Sequence, residues 1–224
     1  MILDRIRHLQ YRLFSRKKKF TNIYNNGGFS ESVSDPVSGS GSTLGQTGEI
    51  MKVLPDLIRE MKIKKMLDAP CGDFNWMKEV DIGEGVEYIG ADIVGPLIER
   101  NNTKYSGPNC AFIEVDIVSD TLPKADMIMC RDCLIHLSNN DARKALLNFY
   151  NSGARYLLTT TFKKLDENRD LVSGRGWRPV NLEIDPFRLP EPMLYIEEKC
   201  TEEDGLFIEK CLGLWAINEI SNSL

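Results

Sequence analysis

The 224-residue chain has no apolar run near the roughly 20 residues that cross a bilayer, which excludes a membrane-spanning helix. It is poor in histidine: His8 and His136 are the only two, so imidazole chemistry in the body of the chain falls to His136. Its six cysteines include a single C-x-x-C, Cys130 and Cys133, with no second such pair to complete a tetrahedral zinc site. Cys71, Cys130 and Cys133 lie in or beside strand-like apolar runs, which points to a reduced, cytoplasmic chain rather than a disulfide scaffold. Met1 to Phe20 lacks the unbroken apolar stretch and small-residue cleavage site of an export signal. Net positive charge is confined to the first residues: residues 1–20 carry a net +6 and the remainder −11. So acidic a body argues against broad contact with nucleic-acid phosphates.

What the chain does have is an ordinary soluble composition, 42% hydrophobic and 27% charged, at a length suited to one buried core. It divides into an extension over residues 1–24 and a domain over residues 25–224. In the extension Ile2, Leu3, Ile6, Leu9, Leu13 and Phe14 fall near helical spacing among Arg5, Arg7 and Arg12, and Arg16-Lys17-Lys18-Lys19 follow. A basic amphipathic helix of this kind suits an anionic surface such as the inner membrane face. It equally suits packing on the domain or a partner protein with a solvated basic tail. Residues 25–48 are rich in Gly, Ser, Asn and Thr. That is the composition of a flexible linker or, since a helical pattern starts at Gln46, of an ordered lead-in facing a ligand.

Beyond it, β-like runs at Lys65–Ala69, Tyr88–Ile93, Ala111–Val115, Met127–Cys130 and Arg155–Thr161 alternate with helical stretches. The alternation predicts an α/β, Rossmann-like, mainly parallel seven-stranded sheet with helices on both faces. Met193–Ile196 and Leu212–Ile217 have no helix-length segment between them and predict an antiparallel C-terminal strand pair. Residues 163–191 are rich in Asp, Arg, Pro and Asn yet carry Trp177, Pro179, Pro186, Phe187 and Pro190, the content of an ordered lid or substrate loop.

Ligands of open α/β sheets sit at the carboxyl ends of the strands. The first strand leads into Asp68-Ala69-Pro70-Cys71-Gly72-Asp73-Phe74. A dinucleotide site would want three glycines there to close backbone amides on a pyrophosphate, and only Gly72 is present, which favours a nucleoside without phosphates. Asp92 ends the second strand, where a carboxylate can accept both ribose hydroxyls of an adenosine. After the third, Asp116 and Ile117 suit the adenine amino group and ring face. Taken singly, each carboxylate is equally explained as a helix cap.

From Gln46 to the C-terminus the chain resembles class I S-adenosylmethionine-dependent methyltransferases, whose first motif, D/E-x-G-x-G-x-G, reads here Asp68, Pro70, Gly72 and Phe74. More narrowly, Ser40-Gly41-Ser42-Thr43-Leu44 with Gln46-Thr47, the Asp68–Trp76 segment, and Trp177-Arg178-Pro179 with Asn181-Leu182 are similar to small bacterial methyltransferases that accompany surface-polysaccharide genes. The resemblance implies S-adenosyl-L-methionine as cofactor. It implies a first loop of Asp68, Pro70, Gly72, Asp73 and Trp76 with Gly72 against the methionine part, and Asp92 and Ile93 at the ribose. It further implies Asp116 and Ile117 at the adenine, Arg131 beyond the fourth strand, and Thr43, Gln46 and Thr47 over the methionine carboxylate.

The fourth strand runs into Arg131-Asp132-Cys133-Leu134-Ile135-His136. Methyl transfer to a hydroxyl needs a proton acceptor, so His136, with Asp132 acting on it or on the acceptor, is the candidate catalytic pair. If helical geometry continues from Asp132, the two share a face. The plainer reading is a packed histidine with its nitrogens satisfied. A magnesium ion on Asp132 and a second carboxylate is a further alternative; no metal is expected. In the lid, Arg175, Trp177, Arg178 and Asn181 are candidate acceptor-binding residues, an indole for a sugar ring and guanidinium groups for phosphate or carboxylate. The alternative is that Trp177 and Arg178 anchor the loop. The expected activity is O-methylation of a saccharide or a phosphate-bearing glycan precursor, with another small nucleophile (amine or phosphoramidate) or a non-catalytic partner subunit as the rivals.

Overall fold

The computed structural model describes residues 14–30 and 35–223, so all but Phe14 of the amphipathic pattern at residues 2–14 lies outside the described residues. Seven strands form one sheet: β1 (Lys65–Asp68), β2 (Glu87–Asp92), β3 (Cys110–Glu114), β4 (Met127–Cys130), β5 (Tyr156–Phe162), β6 (Leu194–Glu197) and β7 (Lys210–Ala216). The order is β3-β2-β1-β4-β5-β7-β6. β1 to β5 are mutually parallel, and β7 runs antiparallel to both β5 and β6. This is the expected Rossmann-like sheet, with the polarity reversed only at the C-terminal edge. The strand order turns between β1 and β4, which opens a crevice at their carboxyl ends.

Alternate residues of the central strands feed two cores, as the two-residue period of a strand requires. Met66, Met127, Met129 and Leu158 point to one face, where they meet Ile50, Leu54, Leu57 and Ile58 of α2 (Leu44–Glu60) and Ile98 of α3 (Gly95–Tyr105). Leu67, Ile128, Cys130 and Leu157 point to the other, against Ala142, Ala145, Leu146 and Phe149 of α4 (Asn139–Asn151). Both α2 and α4 start on a hydroxyl: Thr43 accepts from the Gln46 amide and Ser138 from the Asp141 amide, satisfying donors that a helix start leaves unpaired.

Two segments that composition left open are ordered. Ser40–Ser42 forms a 3-10 turn leading into α2. The basic run Arg16-Lys17-Lys18-Lys19 opens α1 (Arg16–Asn25), a helix rather than a solvated tail, capped by Ser15 and packed through Phe20 on the α4-side core. Residues 163–191 contain no helix but are pinned by Val180, Leu182, Phe187 and Leu189 in that same core.

Candidate functional site

A cavity of about 370 Å³ lies at the carboxyl ends of β1 to β4, a volume within the range of small-molecule sites. Asp68, Pro70, Gly72, Asp73 and Trp76 line it from the loop after β1, Asp92 and Ile93 from β2, Asp116 and Ile117 from beyond β3, and Arg131, Asp132 and His136 from beyond β4. The fold thus gathers these twelve predicted residues around one space.

Asp92 closes β2 with its carboxylate buried; Oδ1 accepts from the Val94 amide at 3.0 Å. Burial pushes its pKa up to about 6, against the backbone N–H groups of Val94, Gly72 and Ile93. Asp68, at the end of β1, accepts from the Tyr88 hydroxyl at 2.6 Å, and burial together with the neighbouring charge of Asp92 raises it to about 7 despite that bond and Arg131. Asp73 is engaged by the lead-in: it accepts from the Val37 amide at 2.9 Å and the Ser38 hydroxyl at 3.0 Å, while its own amide donates to Ser38 Oγ at 2.8 Å. Gly72 has φ +53, and a Cβ there would meet Ser38 Oγ at 2.2 Å. Glycine is required at this position because the lead-in lies directly against the loop.

At the other end Asp132 takes φ +51, so the backbone leaves β4 in a left-handed residue before the 3-10 turn Leu134–His136. Asp132 and His136 therefore do not share a helical face. Asp132 is held by Lys210 Nζ at 2.6 Å and Arg131 at 3.3 Å, and Thr160 Oγ1 donates to it at 3.2 Å. Against its burial, the charges of Arg131 and Lys210 hold the carboxyl well below the usual range. Its carboxylate is thus engaged by Lys210, Arg131 and Thr160. Among the described residues no group of three or more His, Cys, Asp and Glu side chains is disposed to hold a metal ion. Cys130 is buried in β4, and its hydrogen bond to Cys133 together with burial keeps the Cys133 thiol protonated.

His136 Nδ1 lies 2.8 Å from the Gly176 carbonyl oxygen, and its ring sits 4.5 Å from that of Phe29. A carbonyl only accepts, so Nδ1 carries the proton and Nε2 keeps its lone pair. Burial lowers the imidazole pKa, with Arg178 and Lys210 acting in the same sense against the Gly176 bond and Asp132. The ring is thus neutral near pH 7.

Six predicted residues have other work. Thr43 caps α2, Thr47 Oγ1 donates to the Thr43 carbonyl at 2.9 Å, and the Gln46 amide reaches Thr201 at 2.8 Å; none of the three lines the cavity. In residues 163–191 only Trp177 lines it, 40% exposed and edge-on to Phe207 at 5.0 Å. Arg178 donates to the carbonyls of Arg169, Leu134 and Ile135 and to Asn139 Oδ1, and Asn181 binds Asn168 and the Leu165 carbonyl. Arg175 is exposed outside the cavity. Conversely, Lys210, Glu202, Ser38 and the α1 residues Arg16, Phe20 and Tyr24 line the cavity unforeseen. Lys210 also lies 3.3 Å from Glu198, which pairs with Arg131 at 2.7 Å. In sequence these residues are scattered and mostly polar, and only the four-residue spacing of Arg16, Phe20 and Tyr24 gave any signal.

No protein-family model and no curated protein matches the chain. Solved structures do. Human N-acetylserotonin methyltransferase in complex with SAM superposes with a TM-score of 0.52 at 14% identity, covering 90% of this chain and 66% of that one. PigF with SAH gives 0.55 at 14%, covering 76% and 55%. The magnesium protoporphyrin IX methyltransferase ChlM from Synechocystis PCC 6803 with bound SAH gives 0.50 at 16%, covering 67% and 74%. The chain spans less than two thirds of the length of the first two. At these identities the likeness is one of fold, the fold of S-adenosylmethionine-dependent methyltransferases.

Proposed function

We propose that this chain is an S-adenosylmethionine-dependent O-methyltransferase acting on a saccharide hydroxyl. The observation that carries the reading is His136, a neutral imidazole with Nδ1 pinned by Gly176, in the same cavity as the buried carboxylate of Asp92.

The residues present fit the cofactor. A loop with one glycine suits a phosphate-free nucleoside, and the Asp92 carboxylate, which lines the same cavity as the apolar Ile93 and Ile117, suits ribose hydroxyls. Arg131 lines the cavity with its guanidinium paired to Asp132 and Glu198. Bound there, the cofactor would supply a methyl group on a sulfonium. His136 Nε2 accepts the proton of the acceptor hydroxyl, a contribution on the order of 10²–10⁴-fold. Phe29, Phe207 and Trp177 keep water from the reacting groups.

For the acceptor, Trp177 offers an indole at the cavity wall, a surface for the C–H face of a sugar ring. A neutral sugar is favoured over a phosphate-bearing one because Arg178 is spent on loop carbonyls, and Arg131 and Lys210 are already balanced by Asp132 and Glu198. The link to surface-polysaccharide synthesis, and contact of residues 1–20 with a membrane or partner, rest on the sequence patterns given above.

The test is methyl transfer from labelled S-adenosylmethionine to a panel of monosaccharides and nucleotide sugars, with S-adenosylhomocysteine (SAH) binding followed by calorimetry. His136→Ala is expected to keep SAH affinity within twofold and to lower turnover at least tenfold. Asp92→Ala should weaken SAH at least tenfold. Unchanged turnover in the first variant would remove the base, and equal heats in the second would remove the ribose assignment.

A further inference from the structure

Among the residues that line the cavity, those of α1 are accounted for by neither the strand-end loops nor the reaction centre. Arg16, Phe20 and Tyr24 stand at four-residue steps, so one face of the helix forms a wall of the cavity. The helix is fastened there by charge. Arg16 Nε donates to Asp116 Oδ1 at 3.2 Å and Oδ2 at 3.0 Å, Nη2 pairs with Oδ2 at 2.9 Å, and Nη1 reaches Asp141 at 3.4 Å. Lys17 pairs with Glu114 at the end of β3. The Arg16, Asp116 and Asp141 side chains are only 23%, 17% and 15% exposed, which sets this forked contact apart from a surface ion pair. The Asp116 carboxylate accepts in addition from the Val118 amide at 3.0 Å, and Asp141 from Ser173 at 2.6 Å. Both carboxylate oxygens of Asp116 are thereby engaged by protein donors.

We propose that α1 is a built wall of the cofactor site, clamped by Arg16 to Asp116 and Asp141, and that Asp116 serves the adenosyl group by anchoring this helix rather than by reading the adenine amino group. The inference rests on the cofactor reading above. It makes Arg16 a positioning residue, with Phe20 and Tyr24 covering the nucleoside.

The experiment uses the full chain with SAH as probe. Calorimetry is run on wild type, Arg16→Gln, Asp116→Asn and the double variant, with Arg16→Lys as a charge-conserving control. Each single variant should weaken SAH at least fivefold, the double should be no more than twofold weaker than the weaker single, and Arg16→Lys should fall between wild type and Arg16→Gln. In parallel, tryptic cleavage at residues 16–19 is followed by mass spectrometry; SAH should slow it at least fivefold in wild type and not in Arg16→Gln. Multiplying losses in the double variant would mean that Asp116 acts on the nucleoside independently of Arg16, and would overturn the proposal. So would wild-type affinity in Arg16→Gln, or cleavage that SAH does not change. If SAH does not bind the wild-type chain at all, the methyltransferase reading falls and this inference with it. If SAH binds and the α1 variants behave as wild type, this inference falls alone.

Discussion

Asp68 and Asp92 sit a strand apart at the bottom of the cavity, and their burial has a consequence for pH. Their folded pKa values, about 7 and about 6, lie above the ~3.9 of an unfolded aspartate. Between roughly pH 4 and pH 7 the folded chain therefore holds protons that the unfolded chain has lost, so raising pH through this window favours unfolding. The effect is absent below pH 4, grows to the folded values and is constant above them. His136, lowered by burial, acts in the opposite sense, so the comparison must isolate one carboxyl. Asp68→Asn keeps an acceptor for the Tyr88 hydroxyl and removes the ionisation. Urea unfolding without ligand should show the variant gaining on wild type from pH 5 to pH 8, by on the order of a few kcal/mol. On the ribose assignment proposed for Asp92, SAH affinity of the wild type should rise over the same window, because an ionised carboxylate accepts hydroxyl donors at both oxygens. A constant difference between the two chains across pH would mean that Asp68 ionises at an ordinary value.

At the scale of elements, the segment 163–191 shows why its sequence was only half legible. Trp177 and Arg178 are neighbours in the chain, both of types common at binding sites, yet the backbone turns Trp177 to the cavity and Arg178 into the loop base. A guanidinium that binds a ligand and one that ties down carbonyls look alike in sequence; which it becomes is decided by carbonyls 9 to 44 residues away. The two should separate on substitution. Arg178→Ala removes the guanidinium donor from the Leu134, Ile135 and Arg169 carbonyls, of which the first two keep a backbone donor, and should cost about 1–3 kcal/mol in urea unfolding. Trp177→Ala, at a half-exposed position, should alter stability by less than about 1 kcal/mol and leave SAH affinity within twofold, while raising the acceptor KM at least fivefold. If the two variants were equally destabilised, Trp177 would be an anchor and not part of the acceptor wall. The strands were legible for the opposite reason: a short continuous apolar run is a local feature, so each run agrees with its observed strand to within two residues. The lead-in Ser38–Ser42 was ambiguous because its order comes from Asp73 and Glu202, partners 35 and 162 residues distant.

Over the whole molecule, the parts of the site that composition did not reveal are those assembled from the far end of the chain. Arg131 and Asp132 follow β4, Thr160 lies on β5, Glu198 follows β6 and Lys210 opens β7, and together they form one buried network at the cavity floor. The antiparallel return of β7 beside β5 is what carries Lys210 from position 210 to the carboxyl end of β4. In sequence this lysine looks like any solvated charge before an apolar strand, and its burial follows only from the topology. The network holds two carboxylates against two cations, so taking away one cation leaves Asp132 and Glu198 buried beside Arg131 alone. Removing one partner of a buried pair costs about 3–5 kcal/mol because the other charge stays desolvated. Lys210→Met should lower urea stability by about that amount, and Asp132→Asn in the same chain should recover part of it, because the charge left unpaired is then gone. Additive losses in the double variant would show that Lys210 and Asp132 stabilise the fold separately, and that β7 reaches the site without being held there by this pair.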